Sequence, residues 1–343
     1  MSQLSAPLVS VIITTFHNEV YLPRAIESVL HQTYPNIELI VVDDNPPDSD
    51  ARRKTQQVMT QYPDVIYLKH PQNRNGAAAR NTGILRATGQ YIAFLDNDDI
   101  YFSDHIASCV QALQENPGCA GVLTGVVKVC GGLCWERVLP PTGDLVQALL
   151  FHEAALGTGS NLFVATDAVR ALNGFDERFI RHQDVEFALR LFSRFKVCTL
   201  DAVQIIKEMD GYSNVPDFSR FLATKQMLWD TFSALIHALS EAQQRQYFAN
   251  QYSSLLYIAC KANDLRQIAW TLDKLRSFRP ISAKERLMVS LSRVRLFRMY
   301  ESAKKQVKRV QSPEICQSTA GSLSAYDQAI FQQVLRDGQR SHS

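Results

Sequence analysis

Apolar and polar positions along the chain follow two rhythms, and the rhythm changes near residue 215. In the first part, short apolar runs alternate with segments of helical period. Val9 to Thr15 (VSVIITT) is β-branched and almost wholly apolar, as expected of a strand covered on both faces. Tyr21 to Gln32 then carries Leu22, Ala25, Ile26, Val29 and Leu30 at helical spacing. Ile37 to Val42 and Val65 to Lys69 read as two further strands, separated by a breaker (Asn45-Pro46-Pro47-Asp48) and a polar helix to about Tyr62. Asn75 to Ala87 reads as a helix and Tyr91 to Leu95 as the fourth strand. Such alternation predicts an α/β fold with a doubly wound, mainly parallel sheet.

After Asp99 the pattern loosens. Helices are expected at Ser103 to Glu115, Leu145 to His152, from Asp167 to about Asn173, and from Asp184 to Phe195. Strands are expected at Gly121 to Val129, Leu133 to Leu139 and Ser160 to Ala165. Beyond Pro216 the strands stop, and Phe218–Leu239, Glu241–Lys261, Leu265–Phe278 and Ala283–Val310 all read as helices. The expected organisation is an α/β domain over 1–213, an all-helical region over 214–310, and a Ser- and Gln-rich tail over 311–343 that is only partly ordered. The boundary belongs between Gly211 and Pro216.

Chemistry concentrates where the strands end. Tyr91 to Leu95 stops against Asp96, Asp98 and Asp99, and Ile37 to Val42 against Asp43 and Asp44. Ligands of doubly wound sheets sit outside the carboxyl ends of the strands, so the two acidic clusters should share one crevice. Acids packed this closely repel one another, and a divalent cation would reverse that cost. Asp99 or Asp104 could equally cap the following helix, with the other acids solvated.

Composition adds bounds. Over 343 residues the net charge is +2, which gives no general argument for nucleic acid. No run of apolar residues is long enough to span a membrane, and MSQLSAPLVSVII lacks the basic start of a signal peptide. Seven cysteines, odd in number and scattered, suggest reduced thiols in a cytoplasmic protein rather than a disulfide frame. Cys130 and Cys134 lack further Cys or His partners for zinc and fit a loop between strands.

Three stretches carry a resemblance. VSVIITTFHNEVYLPRAIESVLHQTYPNIELIVVDDNPPD, NRNGAAARNTGILRATGQYIAFLDNDD and NGFDERFIRHQDVEFALRL resemble, in order and spacing, three blocks of the family-2 glycosyltransferases, which have the GT-A fold. The likeness covers about residues 8 to 200. It implies that Thr14 and Phe16 line the base pocket of a donor nucleotide, with Asp44 accepting a hydrogen bond from the base. Arg80 would serve a phosphate or the neighbouring acids, and Asn97 would lie beside the nucleotide. Asp96 and Asp98 correspond to the metal motif, with Asp98 the direct ligand of manganese or magnesium. Asp184 corresponds to the catalytic base, though Asp is also favoured as a helix cap.

This chain departs from the pattern in three places. Asn45-Pro46-Pro47 follows Asp43-Asp44 where the family commonly has Gly-Ser, the acidic pair is reduced to Gln183-Asp184, and Ile206 to Asp210 lacks a histidine ligand, for which Glu208 or Asp210 could substitute. The implied activity is inverting transfer of a sugar from a nucleotide diphosphate, a UDP-sugar, to a glycan hydroxyl. The implied acceptor is a lipid-linked oligosaccharide of O-antigen, lipopolysaccharide or capsule synthesis, at the inner face of the cytoplasmic membrane. A nucleotidyltransferase would want a glycine-rich loop after the first strand, which Thr14 to Glu19 lacks; a non-catalytic scaffold would not need Asp44, Asp98 and Asp184. From Ile281 to Val310 nine basic residues face only Glu285 and Glu301, 9 − 2 = +7, with apolar residues interleaved. Such a segment suits a peripheral membrane contact, a solvated basic helix face or a subunit contact in an oligomer.

Overall fold

The computed structural model describes residues 6–17, 20–209 and 217–340. Its elements run β1 (Val9–Thr15), α1 (Leu22–Leu30), β2 (Ile37–Asp43), α2 (Asp50–Met59), β3 (Ile66–Lys69), α3 (Gly76–Arg86), β4 (Tyr91–Asp96) and β5 (Asp99–Tyr101). They continue through α4 (His105–Glu115), β6 (Gly121–Cys130), β7 (Leu133–Val138), α5 (Leu145–Phe151), β8 (Leu162–Ala165), α6 (Thr166–Ala171), α7 (Gln183–Arg194) and β9 (Val197–Glu208). Helices α8 (Phe218–Thr231), α9 (Ser233–His237), α10 (Glu241–Ala262), α11 (Leu265–Arg276), α12 (Ala283–Arg293), α13 (Phe297–Ala320) and α14 (Ala325–Arg340) complete the chain.

The chain divides into two compact units, Met1–Tyr212 with Gln311–Ser343, and Ser213–Val310. The boundary expected between Gly211 and Pro216 lies outside the described residues. In the first unit one sheet runs β3-β2-β1-β4-β8-β6-β9-β5, with β7 on β6. Its first half is parallel, as the apolar runs imply. The second half is mixed, because β8 runs antiparallel to both β4 and β6, and β5 antiparallel to β9. Strands β5 and β9 were not anticipated. The parallel register aligns Thr14 with Asp96, and Thr15 with Asp43, so both acidic clusters end at one edge of the sheet.

Val11, Ile13, Ile26, Val41 and Ala93 form part of a fully buried core between the sheet and its helices. Helix α3 packs hard against β1: a Cβ on Gly83 would lie 2.4 Å from Ile12, so only glycine fits there.

Residues 311–340 correct the expectation of a partly ordered tail. Phe331, Val334 and Leu335 of α14 are buried with Ile100, Val127, Val129 and Ile206 in a core of their own. Asp327, 2% exposed, accepts hydrogen bonds from the backbone N–H and hydroxyl of Ser103, each 2.8 Å. The cysteine reading is also corrected: Cys119 is bonded to Cys198, and Cys134 to Cys316. Sequence spacing could not reveal that topology, which pairs β6 with β9 and lays α13 beside β7. Cys130 to Cys134 is a hairpin turn with Gly131 and Gly132 at positive φ.

The second unit is all helical, with Leu255, Leu256, Ala259, Leu272 and Leu275 among its core residues. The single helix expected over Ala283–Val310 is two, broken at Val294 to Leu296, where Arg295 takes φ 59°. Among the described residues no helix is long and apolar enough to cross a membrane.

Candidate active site

The turn after β2 is built on buried carboxylates. Asp43, fully buried, accepts from Tyr67 Oη at 2.6 Å and from the backbone N–H of Asn45 at 2.9 Å. Asp44, 2% exposed, has four donors around it: His70 Nδ1 at 2.6 Å, Asn73 Nδ2 at 2.8 Å, Arg74 N at 2.8 Å and Asn75 N at 2.9 Å. A carboxylate offers about four lone-pair positions, and these four donors all come from its own chain. Beside the bond to a base expected of it, Asp44 has a structural task. Asp44 clamps the loop of residues 70–75 that leads into α3, whose N-cap Asn75 accepts from Ala78 N at 3.0 Å.

Helix α3 in turn presents Arg80. One guanidinium nitrogen donates to Asp96 Oδ1 at 2.5 Å, another to Gln183 Oε1 at 2.9 Å, and the plane lies 5.3 Å from the centre of the Phe175 ring. Arg80 thus ties the end of β4 to the start of α7, engaging the neighbouring acids. Gly76 lets these groups converge, since a Cβ there would sit 2.9 Å from Gln183 Oε1. Asp96, expected as a second metal ligand, is committed to Arg80. Asn97, expected beside a nucleotide, donates to Thr15 Oγ1 at 2.9 Å and His17 O at 3.0 Å, fixing the loop after β1. That loop holds Phe16 45% exposed at the sheet edge, free to stack on a ring. Thr14 is half-buried beside Asp96.

Asp99 is fully buried on β5, its Oδ2 accepting from Ser160 Oγ at 2.6 Å and Thr158 Oγ1 at 2.8 Å. Opposite it in register stands Lys207 of β9, whose Nζ donates to Thr158 Oγ1 at 3.2 Å. Lys207 was not singled out from the sequence. Burial works to lower its pKa, but Asp99, Asp96, Asp98 and Asp184 outweigh it and raise it above the ordinary lysine value. The lysine therefore stays charged within a field of four acids. Burial also works to raise Asp96, yet Arg80 and Lys207 hold its carboxyl below the usual range. Asp99 is raised, first by burial. Asp98 is pushed up to about 7 by burial and by repulsion from Asp99 and Asp96.

Asp184 belongs to the same electrostatic neighbourhood through Lys207. It is not the cap of α7: His182, at φ 57°, holds the N-cap position, and among the described residues Asp184 accepts only from its neighbour's backbone, Val185 N, at 2.9 Å. A Cβ on Gly159 would come 3.1 Å from Asp184 Cβ, so the 3₁₀ turn of Gly159–Asn161 approaches this carboxylate closely.

For a divalent ion the fit is partial. Among the described residues no three His, Cys, Asp or Glu side chains are gathered as a closed metal site. Glu208, considered as a substitute ligand, is bound by Arg24 at 2.5 Å, and Asp210 lies outside the described residues. Asp98 remains half-exposed, with no side-chain donor to its carboxylate among the described residues, and its raised pKa is what a cation would reverse. That suits a cation held by one carboxylate together with substrate phosphates.

Residues 10–172 match the model of glycosyl transferase family 2. Over that stretch, a little under half of its length, the chain is similar to the family 2 glycosyltransferases. The matched stretch contains Thr14, Phe16, Asp44, Arg80, Asp96, Asn97 and Asp98, while Asp184 and Lys207 lie beyond it. An uncharacterized glycosyltransferase of Rickettsia felis is 26% identical over 243 residues, 69% of this chain. The chain spans 39% of that relative's length. Among solved structures, Staphylococcus aureus TarS 1–349 in complex with UDP-GlcNAc is similar with a TM-score of 0.60 at 16% identity, over 88% of this chain and 92% of that one. A Pyrobaculum calidifontis mannosyltransferase in complex with GDP-Man and Mn2+ is similar with a TM-score of 0.51 at 17% identity, over 90% and 88%. The first unit has the GT-A fold of these structures.

Proposed function

We propose that the protein transfers a sugar from a UDP-sugar to a hydroxyl of a glycan acceptor, with inversion at the anomeric carbon. The observation that carries this reading is the convergence of Asp98 and Asp184 on one charged cluster at the carboxyl ends of the strands. Phe16 stacks on the base, and the clamped loop of residues 70–75 forms the adjoining wall. Asp184 takes the proton from the acceptor hydroxyl as its oxygen bonds to the anomeric carbon. The bond from that carbon to the diphosphate breaks, and its electron pair leaves with the diphosphate. Lys207 contributes fixed positive charge beside the departing group.

A divalent cation held by Asp98 would neutralise charge on the diphosphate. The Mn2+ bound by the mannosyltransferase of the same fold and the UDP-GlcNAc bound by TarS support these assignments by analogy. The acceptor we favour is a lipid-linked oligosaccharide for a surface polysaccharide, met at a membrane by the basic helices of the second unit.

Asp184→Asn tests the mechanism. Calorimetry should return unchanged UDP affinity, while nucleotide release with the matched donor and acceptor falls by about two to four orders of magnitude. Near-normal release would move the base elsewhere.

A further inference from the structure

We propose that a cavity between α11 and α12 binds the phosphate of an anionic lipid head group. The cavity has a volume of about 460 Å³ and lies wholly within the second unit. Two helix faces meet across it. Arg286, Val289, Ser290 and Arg293 recur on α12 at the spacing of one helical stripe, and Leu272 and Arg276 do the same on α11. Leu272 and Val289 are buried and form an apolar floor, while the three arginines are exposed at the rim beside the Ser290 hydroxyl. No carboxylate lines the cavity.

The charge there is uncompensated. Among the described residues none of Arg276, Arg286 and Arg293 lies within ion-pair distance of an acid. Arg279, three positions from Arg276, shows the contrast: both its terminal nitrogens are bound by Glu285, at 2.9 and 2.7 Å. The fold neutralises that arginine and leaves three others converging on one space. Three guanidiniums at close quarters repel one another, and a phosphate would relieve this while accepting their forked donors.

The neighbouring surface decides between a free phosphate and a lipid. Leu287 (52% exposed) lies next to Arg286 on α12, Val294 (61%) follows Arg293 at the helix end, and Leu296 (43%) and Met299 (65%) are exposed just beyond the break. A soluble anion has no use for exposed apolar side chains beside its site. A membrane surface satisfies both, with phosphate at the arginines and the exposed apolar side chains in the interfacial layer. The inference deepens the reading of a membrane-borne acceptor, and rests on it for the occasion of binding but not for the site.

Co-sedimentation of the full chain tests it, using phosphatidylcholine vesicles with and without phosphatidylglycerol. Binding is expected only with the anionic lipid, and Arg286→Gln and Arg293→Gln should each weaken it about fivefold. Lys284→Gln, on the same helix outside the cavity, should weaken it less. An equal loss with Lys284→Gln would mean a diffuse basic face and overturn the site. Absence of vesicle binding would overturn the proposal, as would calorimetric binding of inorganic phosphate unaccompanied by vesicle binding. UDP affinity of each variant is measured alongside: it should be unchanged, and a failure of vesicle binding with UDP binding intact leaves the transferase reading standing.

Discussion

Single residues in this site do work that their type alone does not announce. Asp44 looks like a ligand group and also clamps the loop of residues 70–75, with four donors gathered around its carboxylate. Lys207 looks like a strand residue and is the cation that lets Asp96, Asp98, Asp99 and Asp184 share one neighbourhood. If so, its worth depends on the acids that remain. Lys207→Met should destabilise the protein, since it leaves buried acids without their cation. In an Asp99→Asn background the same change should cost less. Urea midpoints of the single and double variants should reveal a coupling of about 0.5–3 kcal/mol. Additive effects would mean that Lys207 and Asp99 act independently.

Among elements, legibility followed the source of the signal. Strands β1, β2 and β4 are buried on both faces, so their apolar runs were readable, and Asp96 and Asp98 could be assigned to a strand end from sequence. Strand β9 was not readable. Its first half is half-exposed and includes Asp201, and its buried half is set by pairing with β6 and β5. Lys207 was lost with it, since a lysine gains meaning only once Asp99 stands opposite. Helix α14 was hidden by composition: Phe331, Val334 and Leu335 have helical spacing, but glutamines and charges surround them. Its packing yields a prediction. Phe331 is fully buried, so Phe331→Ala should destabilise the first unit by about 3–5 kcal/mol. Asp327→Ala should cost about 1–3 kcal/mol by stripping the Ser103 N–H of its acceptor. Urea denaturation checks both, and unchanged midpoints would mean that α14 is not docked in solution.

At the scale of the whole molecule, two units with separate cores need not respond alike to acid. Glu285 of the second unit accepts from Arg279, Ser253 and Ser282, and is 5% exposed. Burial works to raise its pKa, yet the Arg279 pair and the hydroxyl and backbone donors outweigh that and bring it to about 2, from an ordinary 4.5. A depressed pKa in the folded state contributes stability that is complete above the unfolded value and lost as pH falls towards the folded one. The second unit should therefore weaken between about pH 4.5 and pH 2 through this group. Arg279 is partly solvated, so the expected loss is on the order of 1–2 kcal/mol rather than the full linkage value. Trp229 and Trp270 report on this unit, and Trp135→Phe removes the signal of the other. Urea midpoints followed by tryptophan fluorescence at pH 7, 5 and 3 should fall mainly in the last step, and Glu285→Gln, starting from a lower midpoint, should show a smaller fall. If the variant falls as steeply as the parent, other carboxylates govern the acid response of the helical unit.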